Sequence, residues 1–165
     1  MSAGYSKPDW NRISAYYRGH QRAIIEAGRN AWALNPYQWE FDGGIKLTPI
    51  ERLLWSDIRT EGVVLYPQYP VGRFFVDFAN PAAKVAIECD GASFHTDQGR
   101  DDVRQAEIED LGWHVYRITG ADCRRDDVHD DNCNRLLSPS PGRELLRMVC
   151  ELHDIRVCRQ IMEAH

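Results

Sequence analysis

Two acids spaced two residues apart, Glu88 and Asp90, close an apolar run, VAIECD, that enters a glycine turn and leads on to His95. Carboxylates at the end of a buried strand, with an imidazole close by, suit chemistry on a phosphoryl group. They offer oxygen ligands to a hard divalent cation, and His95 can move a proton near neutral pH. A third acid, Asp77, lies one strand earlier in RFFVDFA. With a two- or four-residue loop around Asn80–Ala83, Asp77 falls opposite Ala86 and Phe75 opposite Glu88. Asp77 and Glu88 are then diagonal neighbours on one face, about 7 Å apart at the backbone. Asp90 shares that face because strand side chains alternate. Three converging carboxylates repel one another, and a bound cation removes the conflict. Magnesium or manganese accepts such ligands, and the Cys89 carbonyl between the two acids offers one more oxygen. The plainer alternative is a solvent-facing acidic rim with His95 in a loop. Phe75 on the same face speaks against a simple wet rim.

The elements that must hold these groups are readable from period and punctuation. Residues 6–29 form a helix, with Ser6 as cap, Pro8 in the first turn and Ile13, Tyr16, Tyr17, Ile24 and Ala27 at helical spacing. Arg18 and Arg22 on this helix, with Trp10 and Tyr17 nearby, are candidates for phosphate and base contact, although a solvated basic face reads the same way. Residues 30–46 are irregular, and Gly43-Gly44 marks a boundary. Thr48-Pro49-Ile50-Glu51 opens the next helix as a capping box, with Ile50, Leu53, Leu54 and Ile58 as its buried stripe. Residues 84–90 and 113–119 are strands joined through a helix that ends at Gly112, so they should run parallel. The polar, acidic stretch 120–142 reads as an exposed loop, and Ser140-Pro141 begins a last helix that carries Leu145, Leu146, Val149, Leu152 and Ile161. The organisation expected is therefore a helical extension over 1–46, a core over 47–120, and an acidic loop with a C-terminal helix over 121–165.

Composition narrows the classes without choosing among them. With 43% hydrophobic and 27% charged side chains in 165 residues, the chain can bury one ordinary core. A net charge of −5 argues against a protein that coats nucleic acid, but leaves room for one local basic face. No apolar run approaches a membrane span, and the polar N-terminus lacks a secretory core, which points to the cytoplasm. Five cysteines without framework spacing fit reduced thiols. Cys123, His129, Cys133, Cys150, His153 and Cys158 could donate to zinc. Tight C-x-x-C pairs are absent, which weighs against a structural zinc site.

TPIERLLWSDIR, QYPVGRFFVDF, VAIECDGASFH and DDVRQAEIEDLGWHVYRIT, taken in order, resemble the very-short-patch-repair-like endonucleases and their small relatives within the PD-(D/E)xK superfamily. The resemblance runs from Thr48 to Thr119. It implies an α/β, restriction-endonuclease-like core, a mixed central sheet flanked by helices, and magnesium-dependent cleavage of DNA. A separate expectation, compatible with cleavage or its loss, is an interaction module whose terminal helices dock a larger repair, mobile-element or defence complex. Asp77 matches a metal-binding aspartate and Glu88 the second acid. Asp90 stands where the superfamily usually has lysine. His95 matches a histidine near the scissile phosphate, and Glu51 a first-helix glutamate that lies near the metal, unless its capping role is its whole purpose. Asp101, Arg104 and Arg117 correspond to a recurrent D-x-x-R and a strand arginine. These arginines could steady phosphate or simply pair with a neighbouring acid such as Asp101. Gln68 also fits the pattern, with no physical reason apparent from its neighbours. The rival expectation is a subunit that keeps the fold to bind nucleic acid or a partner and has lost cleavage.

Overall fold

A computed structural model describes residues 6–39, 45–91 and 98–157. Helix α1 spans Lys7–Ala27. Its cap is reciprocal, because the Ser6 hydroxyl accepts from the Asp9 amide while the Asp9 carboxylate accepts from that of Ser6. Ile13, Tyr17 and Ile24 form its buried stripe. Tyr17 docks the helix, donating its hydroxyl to the Pro67 carbonyl and accepting from Trp39 Nε1 at 3.0 Å. The boundary read at Gly43-Gly44 lies outside the described residues.

Helix α2, Pro49–Glu61, starts on the Thr48 capping box and ends on Gly62, whose φ of 73° gives the left-handed turn that glycine takes without strain. Ile50, Leu54, Trp55 and Ile58 are its buried face, whereas Leu53 is exposed. Leu53 lies one residue to the side of the stripe that Ile50, Leu54 and Ile58 define at intervals of four.

Four strands form one sheet in the order β1 (Tyr66–Val71), β2 (Phe74–Asn80), β3 (Val85–Asp90), β4 (His114–Thr119). The first three are antiparallel neighbours, and β3 and β4 run parallel across the crossover helix α3, Gln98–Asp110. The mixed sheet and parallel pair agree with the sequence reading. Strand β1 was not separable in sequence from its connection, because Pro67 and Pro70 interrupt the alternation. It lies at the edge of the sheet, where proline is tolerated.

The β2–β3 turn differs from expectation by one position on each strand. Asn80 pairs with Val85 and the loop is Pro81–Lys84. Asn80 holds it there: fully buried, it accepts the Ala83 amide at 3.0 Å and donates to the Val64 carbonyl at 2.9 Å and that of Arg29 at 3.0 Å. Lys84, with φ 53°, turns the chain into β3. Phe78 therefore lies opposite Ile87, and the same register places Asp77 opposite Glu88 rather than opposite Ala86.

Helices cover both faces. On one, Trp55 of α2 stacks on Phe78, ring centroids 5.9 Å apart and 12° from parallel. On the other, Trp10 of α1 packs on Phe75 at 4.1 Å, and Arg104 of α3 reaches Glu88. A continuous apolar cluster runs from Ile13 through the sheet to Ile155, joining the N-terminal helix, the sheet and the last helix.

Residues 120–142 are not an unstructured loop. They contain a short helix α4, Gly120–Cys123, and a small hairpin of β5 (Val128–His129) and β6 (Leu136–Ser138). The hairpin was hidden because Val128, Leu136 and Leu137 are exposed, so no buried alternation marks it. Helix α5, Pro141–His153, buries Leu146 and Val149 but exposes Leu152. Ile161 lies outside the described residues. Arg143 ties α5 to the rest, donating to Glu61 at 2.6 Å and to Asp127 at 2.6 Å.

Asp57, at the α2–α5 contact, is pushed from 3.8 up to about 6 by burial and then by the charge of Asp127. A carboxyl with a raised folded pKa holds its proton more tightly in the fold. Its contribution is therefore lost as pH rises from 3.8 to about 6 and remains a cost above that. Asp57→Asn is expected to flatten that limb of the Tm-versus-pH curve and to raise Tm at pH 7. Calorimetry at closely spaced pH values would refute this if the two curves ran parallel.

Candidate active site

Asp77, Glu88, Glu51 and Gln68 are all buried, at 3%, 5%, 1% and 1% exposure. Four polar side chains sealed this thoroughly need partners, and their partners define the site. Asp77 Oδ2 accepts the Cys89 amide at 2.8 Å. In a strand the N–H and C=O of one residue point to the same side, so the Cys89 carbonyl is also carried toward β2. Burial, reinforced by the charges of Glu88 and Glu51, holds the Asp77 carboxyl well above the ordinary aspartate value.

Glu88 is met by Arg104, whose Nη1 donates to Glu88 Oε1 while Nη2 donates to the Phe75 carbonyl at 2.7 Å. The guanidinium also lies 5.7 Å from the centre of the Phe74 ring. This arginine is mostly enclosed and braces the wall that carries Glu88. Arg117, paired in register with Glu88 across β3–β4, is more open. It donates to Asp90 Oδ1 at 3.3 Å and to Gln105 Oε1 at 3.0 Å. Both arginines thus meet acids, and those acids are Glu88 and Asp90.

Glu51 caps its helix and also bonds across to β1. Its Oε2 accepts the Thr48 amide at 2.6 Å in the capping box, and its Oε1 accepts from Gln68 Nε2 at 3.2 Å. Its charge also contributes to the raised pKa of Asp77, which places it in the acidic group. Gln68 thereby acquires a physical account that the sequence did not supply. The only advance signal was its place in QYPVG.

The Cys89 side chain points to the other face. It donates to Cys123, and this bond followed by burial pushes the Cys89 thiol up, while the same bond lowers that of Cys123. Cys89 is therefore held as a thiol, and only its backbone faces the acids. Arg18 and Arg22 lie on the exposed side of α1, Arg22 bonding Glu26 at 3.1 Å. They do not join the acidic group. His95 and Cys158 lie outside the described residues.

The donor set fits a hard divalent cation. Asp77, Glu88 and Asp90 offer carboxylate oxygens and Cys89 a backbone carbonyl, the hard type of donor that magnesium accepts. Among the described residues no three His, Cys, Asp or Glu side chains close into a cage. Magnesium commonly takes only one or two carboxylates and completes its shell with water and substrate.

A mixed sheet with an aspartate and a glutamate buried on adjacent strands, enclosed by helices, is the restriction-endonuclease-like arrangement. The family model REase_MTES_1575 matches residues 51–137, and the chain belongs to this restriction-endonuclease-like family. The PD-(D/E)xK-like resemblance read from the motifs stands at that level. Curated relatives include the uncharacterized protein YcjD of Escherichia coli (strain K12), 33% identical over 102 residues that cover 58% of this chain and 87% of the relative. An uncharacterized protein of Haemophilus influenzae is 32% identical over 84 residues, covering 48% and 69%. Among solved structures, the chain is similar to the catalytic domain of the homing endonuclease I-Bth0305I. That match has a TM-score of 0.40 and 23% identity, and covers 46% of this chain and 80% of the other. No helix among the described residues is long and apolar enough to cross a membrane.

Proposed function

We propose that the protein is a metal-dependent endonuclease that hydrolyses DNA phosphodiester bonds, in a repair, mobile-element or defence setting. The observation that carries the reading is the buried Asp77–Glu88 pair on adjacent strands, within a restriction-endonuclease-like family. Asp77, Glu88, Asp90 and the Cys89 carbonyl are the oxygen donors for Mg2+, with Mn2+ as substitute. When bound, such an ion supplies charge stabilisation to a phosphoryl oxygen and acidifies water. Asp90 replaces the usual lysine, so His95 is assigned the proton transfer that prepares the attacking water. In this reading Arg117, 40% exposed, gives up its contact with Asp90 to meet phosphate. Arg104 serves mainly to brace Glu88. Arg18 and Arg22 remain candidates for backbone contacts further along a bound duplex.

One observation favours a second reading. Arg104 already occupies Glu88, which suits a fold retained for binding nucleic acid or a partner without turnover. Supercoiled plasmid separates the two. The endonuclease nicks or linearises it in Mg2+ or Mn2+ and stops in EDTA. DNA binding that persists in EDTA with no cleavage in either metal would select the second reading.

A further inference from the structure

Gln68 lies in β1 between Pro67, which is opposite Phe78, and Tyr69, which is opposite Val76, and so stands across from Asp77. The ladder pairs on both sides of this step and not at it. Its φ is 51°, a left-handed conformation that a residue with a long side chain rarely adopts. Backbone demands alone would be met more easily by glycine or asparagine. What glutamine adds is an amide that reaches Glu51, with Nε2 donating to Oε1 at 3.2 Å inside a sealed environment. The other Glu51 oxygen is taken by the Thr48 amide at 2.6 Å. Bonded at both oxygens, and fixed to the first turn of α2, the carboxylate has a defined orientation. A strained residue held this way at an acidic site is expected where the strain serves the site.

We propose that Gln68 is a positioning residue for the acidic site, its amide fixing the Glu51 carboxylate beside Asp77 so that the cluster is set for a divalent cation before one arrives. The proposal rests on the metal-dependent reading above and adds a residue to it. Donors behind a metal site commonly shift affinity by about 10- to 100-fold when removed.

The test is a Mn2+ titration of the full chain, read by thermal shift and by loss of the free-ion EPR signal, alongside plasmid cleavage. Gln68→Gly removes the amide and suits the left-handed backbone. It should raise the Mn2+ midpoint about 10-fold and lower kcat, leaving KM for DNA and the metal-free Tm near wild type. Gln68→Asn keeps an amide and tolerates the same φ, and should recover part of the loss. A Gln68→Gly protein with wild-type midpoint and kcat overturns the proposal. So does a metal-free Tm that collapses in both variants in step with Mn2+ binding, which would make Gln68 a stability residue only. A wild-type protein that takes up no Mn2+ also overturns it. If wild type binds Mn2+ but leaves DNA intact, the nuclease reading alone fails, and the Mn2+ midpoints still decide the role of Gln68.

Discussion

Asp77→Asn should abolish cleavage and leave the protein more stable. The loss of activity is expected to be about a thousandfold or more, since a metal-binding carboxylate is worth several kcal/mol of transition-state charge stabilisation. The gain in stability follows from burial. The folded pKa of Asp77 is raised, so its ionised form is worse off in the fold than in the unfolded chain, and at neutral pH that difference opposes folding. Asparagine has nearly the same shape, and its oxygen can still accept the Cys89 amide. It carries no charge to repel Glu51 and Glu88. Each kcal/mol recovered moves Tm by about 2–4 °C in a chain of this size. Calorimetry on the metal-free protein and plasmid cleavage after Mg2+ is returned to the same preparation check both halves. An active Asp77→Asn protein would remove Asp77 from the site, and one with a lowered Tm would show that the charge is compensated by a group not identified above.

Arg104→Met should act in the opposite direction. It leaves Glu88, 5% exposed, without its ion-pair partner, and breaking a buried pair from one side typically costs about 3–5 kcal/mol. Arg104 is itself partly open, which places the expected loss near the lower end of that range. A divalent ion should then restore more stability to Arg104→Met than to wild type, because Glu88 would be free to bind it. Paired thermal melts with and without Mn2+ measure this difference. Equal melts for the two metal-free proteins would mean that Arg104 is a phosphate contact and not a brace.

How far the residues announced the fold depends on which forces set each part. Thr48, Pro49 and Glu51 specify the start of α2 by local bonding, and the structure places them as read. The position of the β2–β3 turn was misread because it depends on Asn80 bonding to Val64 and Arg29, which are distant in sequence. The pairing of Asp77 with Glu88 on one face survived that error, since shifting the register by two residues preserves the pleat. Strand β1 and the hairpin β5–β6 escaped for opposite reasons. Prolines disguise the first, and exposed apolar residues leave the second without a pattern. The acids of the site were recognisable by type and spacing. Their partners, Arg104 on Glu88 and Gln68 on Glu51, come from other elements and became visible only through packing.

The edge strand β1 also bears on how this protein meets other chains. An open sheet edge recruits foreign strands when it offers an unbroken row of amide hydrogens and carbonyls. In YPQYP, Pro67 and Pro70 have no amide hydrogen to give, and the Pro67 carbonyl is already taken by Tyr17 of α1. Gln68, with its left-handed φ, takes the backbone between them out of the flat zigzag that an incoming strand would need to match. Burial also covers this margin, since Tyr66, Gln68, Tyr69 and Val71 are each no more than 5% exposed, so the segment that holds Gln68 against Glu51 leaves a foreign strand neither room nor a row of amides to pair with.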